Sequence, residues 1–247
     1  MTSESLTAQQ WLADNPLRCG EHLYAVISCA SDADPLAAYR QRGGVEPPIA
    51  LWAETPYADW LPVMPYLLSL TPDSECVQWA AETDAHDWGW LAVSTAAPEL
   101  IASHLRGLTH VLMPAGVAVF FRFWDGRHWL PILQHLGPAA RDVLPVFDRY
   151  WVNGQPVAVG QGAALPAQSF PWWEVPKDLL NTLAEKDSST VIDNLLQWLK
   201  ETQTELYFSL PESGLRQKVE HFVTLSDSNQ DDDKQRFMTY LQQELGR

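Results

Sequence analysis

Lysine is missing from the first 176 residues of this 247-residue chain; all five, Lys177 to Lys234, come later. Over the whole sequence 16 Lys and Arg face 31 Asp and Glu, a formal charge of −15. Nucleic acids and anionic membranes are bound through basic patches, so both are disfavoured as partners. Cysteine is also scarce. Cys19, Cys29 and Cys76 are odd in number and widely spaced, which fits reduced thiols in a cytoplasmic protein better than a disulfide framework. The opening Met-Thr-Ser-Glu-Ser-Leu is polar and has no basic stretch, so no secretory leader is expected. Nor is membrane insertion: the longest apolar tract, Val111 to Phe121, is broken by Pro114 and Gly116 and falls short of the ~20 residues that span a bilayer.

Motifs for catalysis are absent as well. The chain has no Gly-x-Ser-x-Gly elbow, Walker loop, His-Glu-x-x-His or Gly-x-Gly-x-x-Gly, which removes the common sequence-readable hydrolase, nucleotide and zinc-protease sites. The best titratable group is Asp84-Ala-His86-Asp87. Two acids beside a histidine can hold a metal or move protons, so a metal-dependent or hydrolytic enzyme is one reading. A polar loop between a helix and a strand explains the same residues. Cys19-x-x-His22 offers two zinc ligands where a structural site needs four. Neither a metal nor a cofactor is expected, and a non-enzymatic protein is the leading reading.

Tryptophan, by contrast, is abundant. Eleven of twelve lie at or before Trp173, and 46% of the chain is hydrophobic, which argues for a packed globular protein. The indole N–H needs a partner when buried, so some tryptophans are candidates for a recognition surface, where Trp is a frequent anchor. Trp172 and Trp173 stand out because Leu165 to Pro176 reads as a connector; Trp124 is the third candidate. Aromatic side chains also bind sugars, so a carbohydrate-binding module is a further alternative.

Along the first 165 residues strand and helix patterns alternate. His22–Ala30, Pro48–Trp52, Val63–Leu70 and Trp88–Ser94 read as strands. Pro65 belongs at the start of its strand or on an edge. Asp34–Arg42, Asp73–Ala85, Pro98–Leu108 and His128–Leu136 read as helices. Thr109 to Trp124 forms a hairpin about Pro-Ala-Gly, which is expected to make the sheet mixed, and residues 146–160 read as extended or irregular chain. Beyond the connector the pattern is helical: Ile192, Leu195, Leu196 and Leu199 form one stripe after a Ser188 or Ser189 cap. Leu215, Val219, Phe222 and Val223 form a second, and Phe237, Met238, Leu241 and Leu245 a third. The acidic run 226–233 reads as a solvated loop. The expectation is an α/β lobe with a mixed sheet over 1–165 and a mainly α-helical lobe over 166–247.

Within the first lobe, Gly116-Val-Ala-Val-Phe-Phe-Arg-Phe-Trp-Asp-Gly-Arg127 is the most unusual segment. Val117 to Phe121 reads as a strand buried on both faces. Arg122, Asp125 and Arg127 then follow among aromatics, and charges so placed must pair with one another or sit at the rim of the core.

This segment, preceded in order by Leu23-Tyr-Ala-Val-Ile-Ser-Cys-Ala30, Pro65-Tyr-Leu-Leu-Ser-Leu70, Trp88-Gly-Trp-Leu-Ala-Val-Ser94 and Leu100 to Leu108, resembles one family. It is similar to the effector chaperones, or adaptor proteins, of bacterial type VI secretion systems, filed under a domain of unknown function. The resemblance covers roughly residues 20–137. It departs from the family pattern at Ser28, where an acid is usual, and at Gly126, where proline is usual. The first departure leaves Asp125 as the local partner for Arg122 and Arg127. The resemblance implies a cytoplasmic protein that holds a cognate toxic effector and helps mount it on the spike protein. It also implies an α/β lobe shared across the family and a more variable helical lobe. Specificity is then expected from the second lobe and a groove between the lobes.

Overall fold

A computed structural model describes residues 6–42, 44, 46–162, 165–186, 192, 195–196, 198–200, 203, 207, 212–225 and 236–241. The chain divides into two compact units, Met1–Pro176 and Lys177–Arg247. Residues 166–176 therefore pack with the first unit.

At the centre of that unit lies β1 (His22–Ser28), whose residues 23–28 are all buried. It pairs with β3 (Pro65–Leu70) on one side and β4 (Gly89–Ser94) on the other. Outside β3 sits β2 (Ile49–Ala50), and outside β4 come β7 (Arg149–Val152) and β8 (Gln155–Ala158), giving the order β2-β3-β1-β4-β7-β8. A strand buried on both faces has no polar alternation, and β1 and β4 read as continuous apolar runs for that reason. Leu23, Ala25, Ile27, Leu68, Leu91, Val93 and Trp151 share one face. They pack with α1 (Ala8–Asp14), α2 (Pro35–Gln41) and α3 (Glu75–Glu82), through Trp11, Leu36, Tyr39, Val77 and Ala80. On the opposite face Trp90 stacks against Trp129 of α5 (Gly126–Leu136) and meets Phe147 and Tyr150 edge-on.

Local chemistry sets the element ends. Asp34 caps α2, accepting from the Ala37 N–H at 3.2 Å, and Pro98 occupies the first turn of α4 (Pro98–Gly107). Pro65 is the first residue of β3, where its missing N–H costs least.

Two expectations about the hairpin do not hold. The strands β5 (His110–Leu112) and β6 (Ala118–Phe120) stand apart from the main sheet as a separate ribbon, and all five pairings of the six-stranded sheet are antiparallel. The mixed sheet is thus an antiparallel one, because β7 takes the free side of β4 and excludes the hairpin. Val117–Phe121 is not buried on both faces either. Val117 is 59% exposed, Ala118 is exposed, and Val119 to Phe121 are half-buried. Residues 146–160 are more regular than expected: β7 and β8 form a hairpin about Asn153-Gly154, whose φ values of 50° and 77° suit the right-handed twist of paired strands.

The second unit contains α6 (Lys177–Lys186) and α7 (Glu212–Leu225). Ile192, Leu195, Leu196 and Leu199 are buried with Leu215, Val219, Phe222, Phe237 and Leu241 in one apolar cluster. The three sequence stripes thus close on each other. The Ser188/Ser189 cap, the acidic run 226–233 and Leu245 lie outside the described residues. No described helix is long and apolar enough to cross a membrane.

Candidate functional site

Arg122, Asp125 and Arg127 meet at the N-terminus of α5. Asp125 caps the helix, accepting from the backbone N–H of Arg127 at 3.0 Å. Its oxygens also accept from Arg127 Nε at 3.1 Å, Arg127 Nη2 at 2.8 Å and Arg122 Nη2 at 2.9 Å. The carboxylate is 0% exposed while the two arginine side chains are 47% and 50% exposed. A buried carboxylate with donors at both oxygens, next to a helix N-terminus, is held in place by charge-assisted bonds. The arrangement ties both arginines to the first turn of α5.

A fourth member of the cluster comes from a distant loop. Asp87 lies 3.4 Å from Arg127 Nη2 and accepts from the Ser31 hydroxyl at 2.7 Å. Asp84 and His86 are exposed, and the His86 carbonyl accepts from Asn153 Nδ2 at 3.0 Å. Among the described residues no group of three or more His, Cys, Asp or Glu side chains is placed to hold a metal. Gly126 explains the departure from proline seen in the sequence. It is the first residue of α5, and a Cβ there would approach the Gly89 carbonyl to 2.8 Å and the His86 carbonyl to 3.0 Å. Close packing between the helix start and the loop before β4 requires glycine. Ser28, the other departure, is buried, and its hydroxyl accepts from the Ala30 N–H at 3.2 Å.

Of the three candidate tryptophans, Trp124 is 3% exposed and packs edge-on against Trp52 and Phe123. Trp173 is 9% exposed, lies against Phe121, and joins the ribbon through its backbone: its carbonyl accepts from the Leu112 N–H at 2.8 Å. Trp172 is half-buried, and its buried indole N–H has no partner among the described residues. These three are mainly packing residues of the first unit.

Among the described residues the exposed tryptophan is Trp60, at 48%, followed by Leu61 at 64% and Val63 at 37%. Trp60 stacks on Phe120 of β6, with ring centroids 5.8 Å apart, and touches Tyr57 and Trp52 edge-on. An apolar patch built on a rigid aromatic base is thus presented beside the ribbon. Sequence reading missed it because Trp60-Leu-Pro-Val63 has the same composition as buried segments; the short 3-10 turn, Leu61–Val63, lifts it to the surface.

Elsewhere in the unit, a cavity of about 700 Å³ is lined by His22, Tyr24, Tyr39, Arg42, Leu70 and Pro98, among others. Burial pushes the Cys29 thiol up to about 11 and raises Cys76 as well, so neither is poised as a thiolate nucleophile. His104 is buried, which lowers its pKa and favours the neutral ring; its Nε2 lies 2.8 Å from the Leu165 carbonyl.

The first unit is thus an α/β fold on an antiparallel sheet, with a buried ion cluster and an exposed apolar patch at the ribbon. Its residues 23–142 match a family model described as Domain of unknown function (DUF4123). No curated protein and no solved structure matches the chain.

Proposed function

We propose that the protein is a cytoplasmic, non-enzymatic chaperone or adaptor of a type VI secretion system. It binds a cognate toxic effector, keeps it soluble and helps load it onto the spike protein. The ordered sequence blocks between roughly residues 20 and 137 support the family reading. The observation that carries a binding role is the patch of Trp60, Leu61 and Val63. Single exposed apolar residues are ordinary. A tryptophan held by stacking, with two aliphatic neighbours exposed beside it, is the form of a protein-binding anchor. The charge of −15 favours an effector segment with a basic margin. Trp172 is a secondary contact, while Trp124 packs on Trp52 and Phe120 beneath the patch and Trp173 backs the ribbon.

The first test is whether a neighbouring gene encodes a toxin, followed by co-expression of that toxin with this chain. Soluble toxin should depend on the chaperone, and Trp60→Ala with Leu61→Ala should weaken the complex roughly tenfold or more. Unchanged affinity in that folded double variant sinks the patch as the binding surface.

A further inference from the structure

Sheet edges invite pairing with other chains, and proteins guard them with proline, charge or brevity. The main sheet ends on β2, only two residues long and preceded by Pro47-Pro48, and on β8, which contains Pro156. In the ribbon, the outer side of β5 is covered by residues 173–175: the Leu112 N–H donates to Trp173, and the Val175 N–H donates back to Leu112, each at 2.8 Å. The outer side of β6 has no such cover among the described residues.

Its geometry follows from the ladder. The Met113 N–H donates to the Val117 carbonyl at 2.9 Å and the Phe121 N–H to the Thr109 carbonyl at 3.0 Å, with Val111 opposite Val119 between them. Hydrogen-bonded and non-bonded pairs alternate, so the N–H and C=O groups of Ala118 and Phe120 point away from β5. Neither residue has a backbone partner outside the ribbon among the described residues. No proline or charge lies between Val117 and Phe121. Trp60 sits over Phe120, and Val117 is exposed at the strand's start.

We propose that the outer edge of β6 receives an extended segment of the effector as an added strand, with Trp60 and Leu61 packing the apolar side chains it presents on the Phe120 face. This rests on the chaperone reading and names the mode of contact. The free main-chain groups ask for a strand, since strand addition draws affinity from backbone hydrogen bonds and specificity from alternate side chains. The exposed patch asks for apolar residues at alternate positions. Exposed Asp59 beside Trp60 and the net acidity ask for Lys or Arg flanking them. The ribbon already accepts one strand in this way, from residues 173–175 of its own chain.

Ala118→Pro removes the outward N–H of residue 118 and leaves the Val111–Val119 pair intact. With the neighbouring-gene toxin as the probe, this variant should bind about tenfold more weakly, the effect of losing a main-chain hydrogen bond in a dry interface. In the wild-type chain, amide exchange at Ala118 and Phe120 should be fast alone and slow in the complex, a readout that does not depend on the variant folding. If the toxin binds but exchange at these amides is unchanged, strand addition is overturned while the chaperone reading stands. If the wild-type chain holds no toxin, both fall. A dimer of this chain that Ala118→Pro dissolves, without toxin binding, overturns the effector as occupant in favour of a second copy.

Discussion

Val117–Phe121 and Arg122–Arg127 are consecutive in the chain and opposite in environment. The apolar half stands at the rim of the molecule, with Val117 59% exposed; the charged half contains a carboxylate that is 0% exposed. Residue polarity alone does not decide burial. Asp125 is inside because its oxygens meet the donors of Arg122 and Arg127 and because it caps α5, while both guanidinium groups still reach water. Val117 is outside because it opens the ribbon's outer strand and none of the described residues covers it.

The contrast breaks most severely at Asp125. Asp125→Ala should lower the unfolding free energy by about 4 kcal/mol, combining a lost cap with the lost charge-assisted hydrogen bonds from Arg122 and Arg127. Denaturant melts of the two chains measure this directly, and a loss under 1 kcal/mol would show that the cluster is ornamental.

A second buried carboxylate gives the next largest effect. Glu21 is held by both Nη atoms of Arg149, at 3.0 and 2.8 Å, and by the Arg18 N–H at 2.9 Å. The Arg149 hydrogen bond lowers the Glu21 pKa below its usual 4.5, against the opposing pull of burial. The folded state therefore holds the proton less tightly than the unfolded one. Its stabilisation is complete above pH 4.5 and is lost as pH falls through the lower folded value. Glu21→Gln should cost about 3 kcal/mol at pH 7, and the gap to the wild type should close as melts are repeated from pH 5 down to pH 2. A gap that stays constant with pH removes the charge from the explanation.

The smallest effect belongs to the exposed end of the comparison. Val117→Thr should change stability by less than about 0.5 kcal/mol, as is usual for surface positions. A thermal melt suffices, and a loss above 2 kcal/mol would mean that the β6 edge is covered in solution.

Much of the fold was legible where burial is two-sided or an element end carries its own chemistry. Leu23–Ile27 and Trp90–Val93 are apolar at every position, and Asp34, Pro98 and Gly137 mark helix ends. Two signals were present and unread. Thr7-x-x-Gln10 is a capping box that opens α1, and Asn153-Gly154 is a strong hairpin turn, obscured by Pro156. The site was less legible for a different reason. Asp87 joins Arg127 across the first unit, and Trp60 is held out on Phe120 beside the 3-10 turn. The 3-10 turn and the ring beneath Trp60 act together, and such tertiary placement is not encoded in local composition.

The ion pair of Glu21 and Arg149 also bears on how the protein is made. It joins residues 128 apart, and the Trp151 indole N–H reaches the Leu6 carbonyl at 2.7 Å across 145. Both contacts lie outside the segment that the family model matches, and β7 and β8 lie beyond it too. The side of β4 that faces β7 stays open until residues 149–152 have left the ribosome. The first unit therefore closes late in synthesis, by a non-local step of the slow kind, and a fragment cut at residues 23 and 142 would begin life with β4 as a bare edge.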